Sequence, residues 1–176
     1  LTEYQKRLAQ LSLTIMQILA EGLPYCTPNS FDAFSTDPIA NVRLLHYPPQ
    51  PDLFDANQLG AGAHTDFGAI TLLLQDSAGG LQVLNQKTNQ WIDVPPNPDG
   101  YVVNVGDMLD TWTKGEYRSN VHRVINKSGT HRYSVPFFFD GNVDYRLGPL
   151  DGSGGHSDGP TVEEFMKERY KRSGVV

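Results

Sequence analysis

Gly62-Ala63-His64-Thr65-Asp66-Phe67-Gly68-Ala69-Ile70-Thr71-Leu72-Leu73-Leu74 decides how this chain reads. A tripeptide with two ionisable side chains, His64-Thr65-Asp66, heads a β-rich apolar run, Ala69–Leu74. Runs of the same kind lie on either side: Val42–His46, Gly80–Leu84, Trp91–Val94, Tyr101–Val105, Asn120–Ile125 and Arg132–Phe139. Turn residues punctuate them at Pro48-Pro49, Gly79-Gly80, Pro95-Pro96 and Gly141-Asn142. Many short strands without intervening helices predict a mainly β fold, as a sandwich, a jelly roll or a barrel. The 17 glycines and 12 prolines, too many for a helical bundle, agree.

Helices are expected only at the two ends. Leu8, Leu11, Ile15 and Ile18, with Leu19 alongside, recur at helical spacing and predict an amphipathic helix over 2–21 that covers a sheet. Gly22 and Pro24 stop it. Gly148–Pro160 reads as a flexible loop. Thr161 then caps a last helix, with Glu163 and Glu164 in its first turn and Lys171 and Arg172 in its last, as the helix dipole prefers. The expected segments are a flanking helix over 1–24, a core over 38–145, and a loop with a C-terminal helix over 146–176.

Composition excludes some classes. A formal net charge of −6 offers no basic patch for a nucleic-acid partner. No apolar run approaches the roughly 20 residues that span a bilayer. The single cysteine, Cys26, has no partner for an internal disulfide, which fits a reducing compartment and a cytoplasmic location.

The chemistry rests on three residues. In an extended strand, alternate side chains share a face, so His64 and Asp66 point the same way and Thr65 the other. That spacing suits two cis ligands on one metal, and His122 is the best candidate for a third. Two imidazoles and one carboxylate on one side of a metal form the ligand set of non-haem Fe(II) oxygenases, which leaves the other side open. Alone, the tripeptide is weak evidence.

The segment after His122 adds an independent reading. Asn126-Lys127-Ser128-Gly129-Thr130 looks like a hairpin with a three-residue loop, Lys127 to Gly129, and Gly129 left-handed. That register sets His122 opposite Ser134 and Val124 opposite Arg132, so all four side chains face one cavity. A guanidinium in a cavity needs a partner. A bound carboxylate gripped by Arg132 and Ser134 is one answer, and a protein Asp or Glu is another.

Seven segments, in order, resemble the iron(II)/2-oxoglutarate-dependent oxygenase superfamily, in its isopenicillin-N-synthase-like branch. They are Asn41–Pro49, Gly62–Asp66, Gly79–Val83, Trp91–Pro95, Val103–Asp107, Ser119–Val124 and Arg132–Phe138. The resemblance implies a double-stranded β-helix, a jelly roll holding iron at one open end. It assigns His64, Asp66 and His122 to Fe(II), and Arg132 and Ser134 to the distal carboxylate of 2-oxoglutarate. Tyr47 matches a position that often hydrogen-bonds the same cosubstrate. Leu45 stands where many plant relatives carry Asn, which removes one amide contact. The implied reaction uses O2 and 2-oxoglutarate to oxidise a C–H bond of a small molecule, giving succinate and CO2. A 2-oxoglutarate-independent oxidase or cyclase and a non-catalytic jelly-roll binding module are the alternatives.

Other residues are weighed more plainly. Phe138 shares parity with Ser134 and Pro136 and is a candidate for the substrate pocket. Leu72, Leu74, Leu81 and Val83 are candidates for its wall, with core packing as the alternative. His46 is read as structural or substrate-facing, and His131 and His156 as solvated. Gly106-Asp107 is read as a tight turn, and Trp91 and Trp112 as core or interface residues. The family usually carries a region ahead of this core, and the chain opens at Leu1 inside a helix. An N-terminal region of the same protein is therefore an expected partner, and the chain by itself is expected to turn over weakly.

Overall fold

The computed structural model describes residues 1–50 and 59–174; residues 51–58 and 175–176 of the expected segments lie outside the described residues. Along the chain run α1 (Thr2–Glu21), β1 (Ile39–Val42), β2 (Leu45–Tyr47), β3 (Ala61–His64), β4 (Ile70–Gln75), β5 (Leu81–Asn85), β6 (Gln90–Asp93) and β7 (Val102–Val105). There follow α2 (Asp107–Trp112), β8 (His122–Val124), β9 (Arg132–Gly141) and α3 (Val162–Ser173). One sheet has the order β1-β9-β4-β7, with β2 also paired to β9; the other has the order β3-β8-β5-β6. Every pairing is antiparallel. Two such sheets, with the chain crossing between them, form the expected jelly roll.

The first sheet acts as a partition. Leu72 pairs with Phe137 and Ile70 with Phe139, and these four turn outward into the core with Met16, Phe31, Phe34 and Trp112. Trp112 packs 5.0 Å from Phe31 and 5.1 Å from Phe34, ring centre to ring centre. Each such buried apolar side chain contributes about 1.5–3 kcal/mol. The alternate residues, Thr71, Leu73, Ser134, Pro136 and Phe138, turn inward and line a cavity between the sheets. Core and cavity thus occupy opposite faces of the same strands.

The helix over 2–21 forms as expected, but a different stripe is buried. Leu8, Ser12, Met16 and Ala20 face the core, while Leu11 is 38% and Ile18 62% exposed. Ser12 and Ala20 are small enough to let the helix sit close to β1, β4 and β9, so side-chain size decides the face here. α3 has the expected start: Thr161 Oγ1 accepts from Glu164 N, and Glu164 Oε2 accepts from Thr161 N. No helix among the described residues is long and apolar enough to cross a membrane.

The expected hairpin after His122 does not form. β8 pairs with β3 and β5, whereas β9 pairs with β1, β2 and β4 in the other sheet. The turn carries the chain between sheets. Gly129 does adopt the left-handed conformation, at φ 71°. The turn is closed by Asn126, whose amide donates to the carbonyls of Tyr47, Pro48 and Thr130. Turn residues fix local backbone shape; they do not fix which strands pair.

Candidate active site

His64 is the last residue of β3, and Asp66 lies beyond the strand end. Strand alternation therefore does not align the two, contrary to the sequence reading. Hydrogen bonds do so instead. Thr71 Oγ1 donates to Asp66 Oδ2 at 2.6 Å, and Asn104 Nδ2 donates to the same oxygen at 2.7 Å. Oδ1 is left facing His64 Nε2 at 4.0 Å and His122 Nε2 at 3.8 Å. His122 sits directly opposite His64 in the β3–β8 ladder, with ring centres 4.3 Å apart.

The two histidines are fixed in one tautomer. His64 Nδ1 lies 2.7 Å from the carbonyl of Gly62, and His122 Nδ1 lies 3.1 Å from that of Asn120. A carbonyl only accepts, so each Nδ1 carries a proton and Nε2 is the ring nitrogen left to ligate a metal. Outer hydrogen bonds of this kind orient metal-ligating histidines. The three ligand atoms lie within 4.8 Å of one another. Two imidazole nitrogens and one carboxylate oxygen suit Fe(II) with open positions, so the donor set fits the metal that the sequence implies.

At the other end of the same cavity Arg132 is fully buried. Its Nε donates to Gly79 O at 2.5 Å and its Nη2 to Gln75 Oε1 at 3.3 Å. Its guanidinium carbon lies 4.8 Å from the centre of the Tyr47 ring. Nη1 is buried and has no hydrogen-bond partner among the described residues. Burial pulls the Arg132 pKa down from its ordinary value, and Tyr47 and Asp76 oppose that pull. No carboxylate is hydrogen-bonded to Arg132 among the described residues; Asp76 Oδ2 accepts from Tyr133 N instead. A buried cationic donor left open is costly unless an anion meets it.

Tyr47, Ser134 and Phe138 line this cavity with the triad and Arg132, in a volume of about 560 Å³. His122, Arg132 and Ser134 do share one space, but because two sheets face each other. Leu81 and Val83 line the wall; Leu73 does so in place of Leu72 and Leu74, since the opposite parity of β4 faces inward. His46 reaches the cavity mouth, with Nε2 2.7 Å from His131 Nδ1 and its ring stacked on Tyr133. Trp112 is core, and Trp91 lies under the Arg123 guanidinium at 3.9 Å.

Asp107 opens α2 rather than a tight turn. Its Oδ2 accepts from Thr65 Oγ1 at 2.9 Å and is ion-paired with Arg169 of α3. Its Oδ1 accepts from Ser119 Oγ at 2.7 Å, and its backbone N–H donates to Asp66 O at 2.8 Å. Arg169 also lies over Phe67, at 5.5 Å, and Tyr170 meets that ring edge-on. A side chain at Gly106 would meet the carbonyls of Asp66 and Gly68, so only glycine permits this approach. Sequence reasoning missed Thr71, Gln75, Asn104, Asp107 and Arg169. The first three carried a signal: each is a polar residue inside an apolar strand.

Residues 38–141 match the family model described as the 2OG-Fe(II) oxygenase superfamily. The chain is 54% identical over 173 residues to the 2-oxoglutarate-dependent dioxygenase citB of Monascus ruber, covering 95% of this chain and 52% of that protein. It spans about half the length of the curated relatives it matches. Among solved structures, a full-length Neurospora crassa protein in complex with alpha-KG and thymine superposes with a TM-score of 0.87 at 32% identity, over 97% of this chain and 55% of that one. JOX2 in complex with 2OG, Fe and JA gives 0.82 at 31%, over 96% and 50%.

Proposed function

The chain belongs to the 2OG-Fe(II) oxygenase superfamily, and on that premise we propose that it is the catalytic core of an Fe(II)- and 2-oxoglutarate-dependent dioxygenase that oxidises a C–H bond of a small organic molecule. His64 Nε2, Asp66 Oδ1 and His122 Nε2 hold the iron. Arg132 and Ser134 take the distal carboxylate of 2-oxoglutarate, with Tyr47 beside them. Once bound, iron and 2-oxoglutarate supply with O2 the oxidising chemistry, and 2-oxoglutarate leaves as succinate and CO2.

The chain's own residues bind, orient and exclude. The Gly62 and Asn120 carbonyls hold both imidazoles by Nδ1–H, so that Nε2 is turned to the metal position. Thr71 and Asn104 occupy Asp66 Oδ2 and so favour a one-oxygen ligand. Gln75 and Gly79 fix the plane of Arg132, which presents its open Nη1 to an anion. Leu73, Leu81, Val83 and Phe138 make the wall apolar, which keeps water from the reacting carbon.

The observation that carries this reading is the fully buried, carboxylate-free Arg132 in the same cavity as the His–Asp–His cluster. Anaerobic Fe(II) uptake followed by 2-oxoglutarate binding tests it, together with succinate formed per O2 consumed. Succinate is expected. O2 consumption without succinate would assign Arg132 and Ser134 to a substrate carboxylate, and absence of Fe(II) uptake would leave a binding module.

The substrate is a small molecule rather than a nucleic acid, a reading the net charge of −6 supports. Another region of the same protein completes the pocket, consistent with relatives about twice as long. The free thiol of Cys26 supports a cytoplasmic location.

A further inference from the structure

Among the described residues, three arginines line the cavity, Arg43, Arg118 and Arg132, against a single carboxylate, Asp66. This is the reverse of the chain as a whole, which carries a net charge of −6. If the function proposed above holds, part of this charge is already matched. The two charges of Fe(II) and the one of Arg132 are cancelled by Asp66 and the two carboxylates of 2-oxoglutarate. Arg43 and Arg118 remain unmatched.

Neither has an acidic partner among the described residues. Arg43 is placed by its backbone, whose N–H donates to Pro136 O at 3.0 Å, and its guanidinium carbon lies 5.6 Å from the Phe138 ring centre. It belongs to the inward row that continues through Leu45 and Tyr47, because Leu45 pairs with Ser134 and Tyr47 with Arg132. Arg118 reaches the cavity from the other side, on the segment ahead of β8. Its Nε donates only to Gly115 O, at 3.4 Å. Both are exposed, so both stand where a ligand arrives. The wall between them is apolar, and two like charges in an apolar concavity focus a positive potential on it.

We propose that the substrate carries an anionic oxygen on an apolar or aromatic skeleton, and that Arg43 and Arg118 select it. The skeleton rests on Phe138 and its apolar neighbours. The oxygen is held by the two arginines, apart from Arg132, which 2-oxoglutarate occupies. The shared chemistry is the anionic oxygen; a carboxylate and an ionised acidic phenol are its two sources.

The test uses the Mn(II)-loaded chain with 2-oxoglutarate, and paired probes of nearly equal shape: benzoate against benzamide, and 4-nitrophenolate against 4-nitroanisole. Paramagnetic relaxation of the probe protons by Mn(II) reports binding next to the metal. At least one anion is expected to bind about tenfold or more tightly than its neutral partner, the size of one charge-assisted hydrogen bond. Which pair shows the preference identifies the source. Arg43→Gln and Arg118→Gln should each reduce the preference, Arg43→Lys should retain part of it, and none should change 2-oxoglutarate affinity. Equal binding of anion and neutral partner, a preference that survives both Gln variants, or no probe binding would overturn the proposal while leaving the cosubstrate reading intact. Failure of 2-oxoglutarate to bind the Mn(II)-loaded chain would overturn both.

Discussion

Replacing Arg169 by methionine removes the cation that joins the C-terminal helix to Asp107 and to the Phe67 ring beside Asp66. Asp107 is 12% exposed at its side chain and Arg169 28%. Loss of one partner of a fully buried pair costs about 3–5 kcal/mol, because the other charge is stranded. Two features lower that figure: Arg169 is partly exposed, and Asp107 keeps its bonds from the Thr65 and Ser119 hydroxyls. The stacking of Arg169 on Phe67 adds back about 0.5–1 kcal/mol. The net expectation is roughly 2–3 kcal/mol, which for a chain of this length lowers Tm by about 5–10 °C. Thermal unfolding of the metal-free chain measures it. A cycle with Asp107→Asn should show a coupling of at least about 1 kcal/mol, since the two residues share one contact. Thr65 and the Asp66 carbonyl are bonded to Asp107, so Mn(II) affinity should fall too, by about tenfold at most. Additive effects in the cycle, or a Tm shift below about 2 °C, would refute the stranded-charge reasoning.

Asn104→Ala and Thr71→Val each remove one of the two hydrogen bonds to Asp66 Oδ2 and should weaken Mn(II) binding by about 10–100-fold in calorimetry, with little change in fold. Arg132→Lys keeps the charge but not the planar fork, and should lower 2-oxoglutarate affinity by about tenfold or more while metal affinity holds. Asp140 is buried, and its pKa is raised to about 7, by desolvation first and the Asp66 charge second. A raised carboxyl stabilises the fold at low pH, and that contribution is lost as pH rises from about 4 through 7. In the metal-free chain Asp140→Asn should therefore stabilise, and its gain should grow by about 2–3 kcal/mol from about pH 5 to about pH 8 in denaturant titrations. A gain that is the same at both pH values would contradict the raised pKa.

The two ends of the cavity were readable to different degrees. His64, Asp66, His122, Arg132 and Ser134 are weak signals one by one and stand out through the ordered segments that carry the resemblance, and the structure gathers them in one space. The geometry behind that was misread twice. Asp66 is aimed by Thr71 and Asn104 and not by strand alternation, and His122 faces Arg132 across two sheets and not within a hairpin. Both misreadings took a local rule for a tertiary fact. Three consecutive leucines, Leu72 to Leu74, likewise hide the inward parity, because every register of an apolar run looks alike. α2 went unseen because six residues are too few to display helical periodicity. The Arg169–Asp107 pair joins positions 62 residues apart, and no pattern along the chain announces it.

One sheet separating core from cavity has a consequence for how this protein can change. On β4 and β9, a substitution at Leu73, Pro136 or Phe138 reshapes the space offered to a ligand, while Ile70, Leu72, Phe137 and Phe139 behind them keep their packing. Selectivity and stability are thus written on alternate letters of the same strands. A ligand of another shape can be accommodated by editing one set without disturbing the other. A slip of β9 by a single residue, by contrast, would exchange the two sets at once, so the pairing itself is the one thing such variation must leave alone.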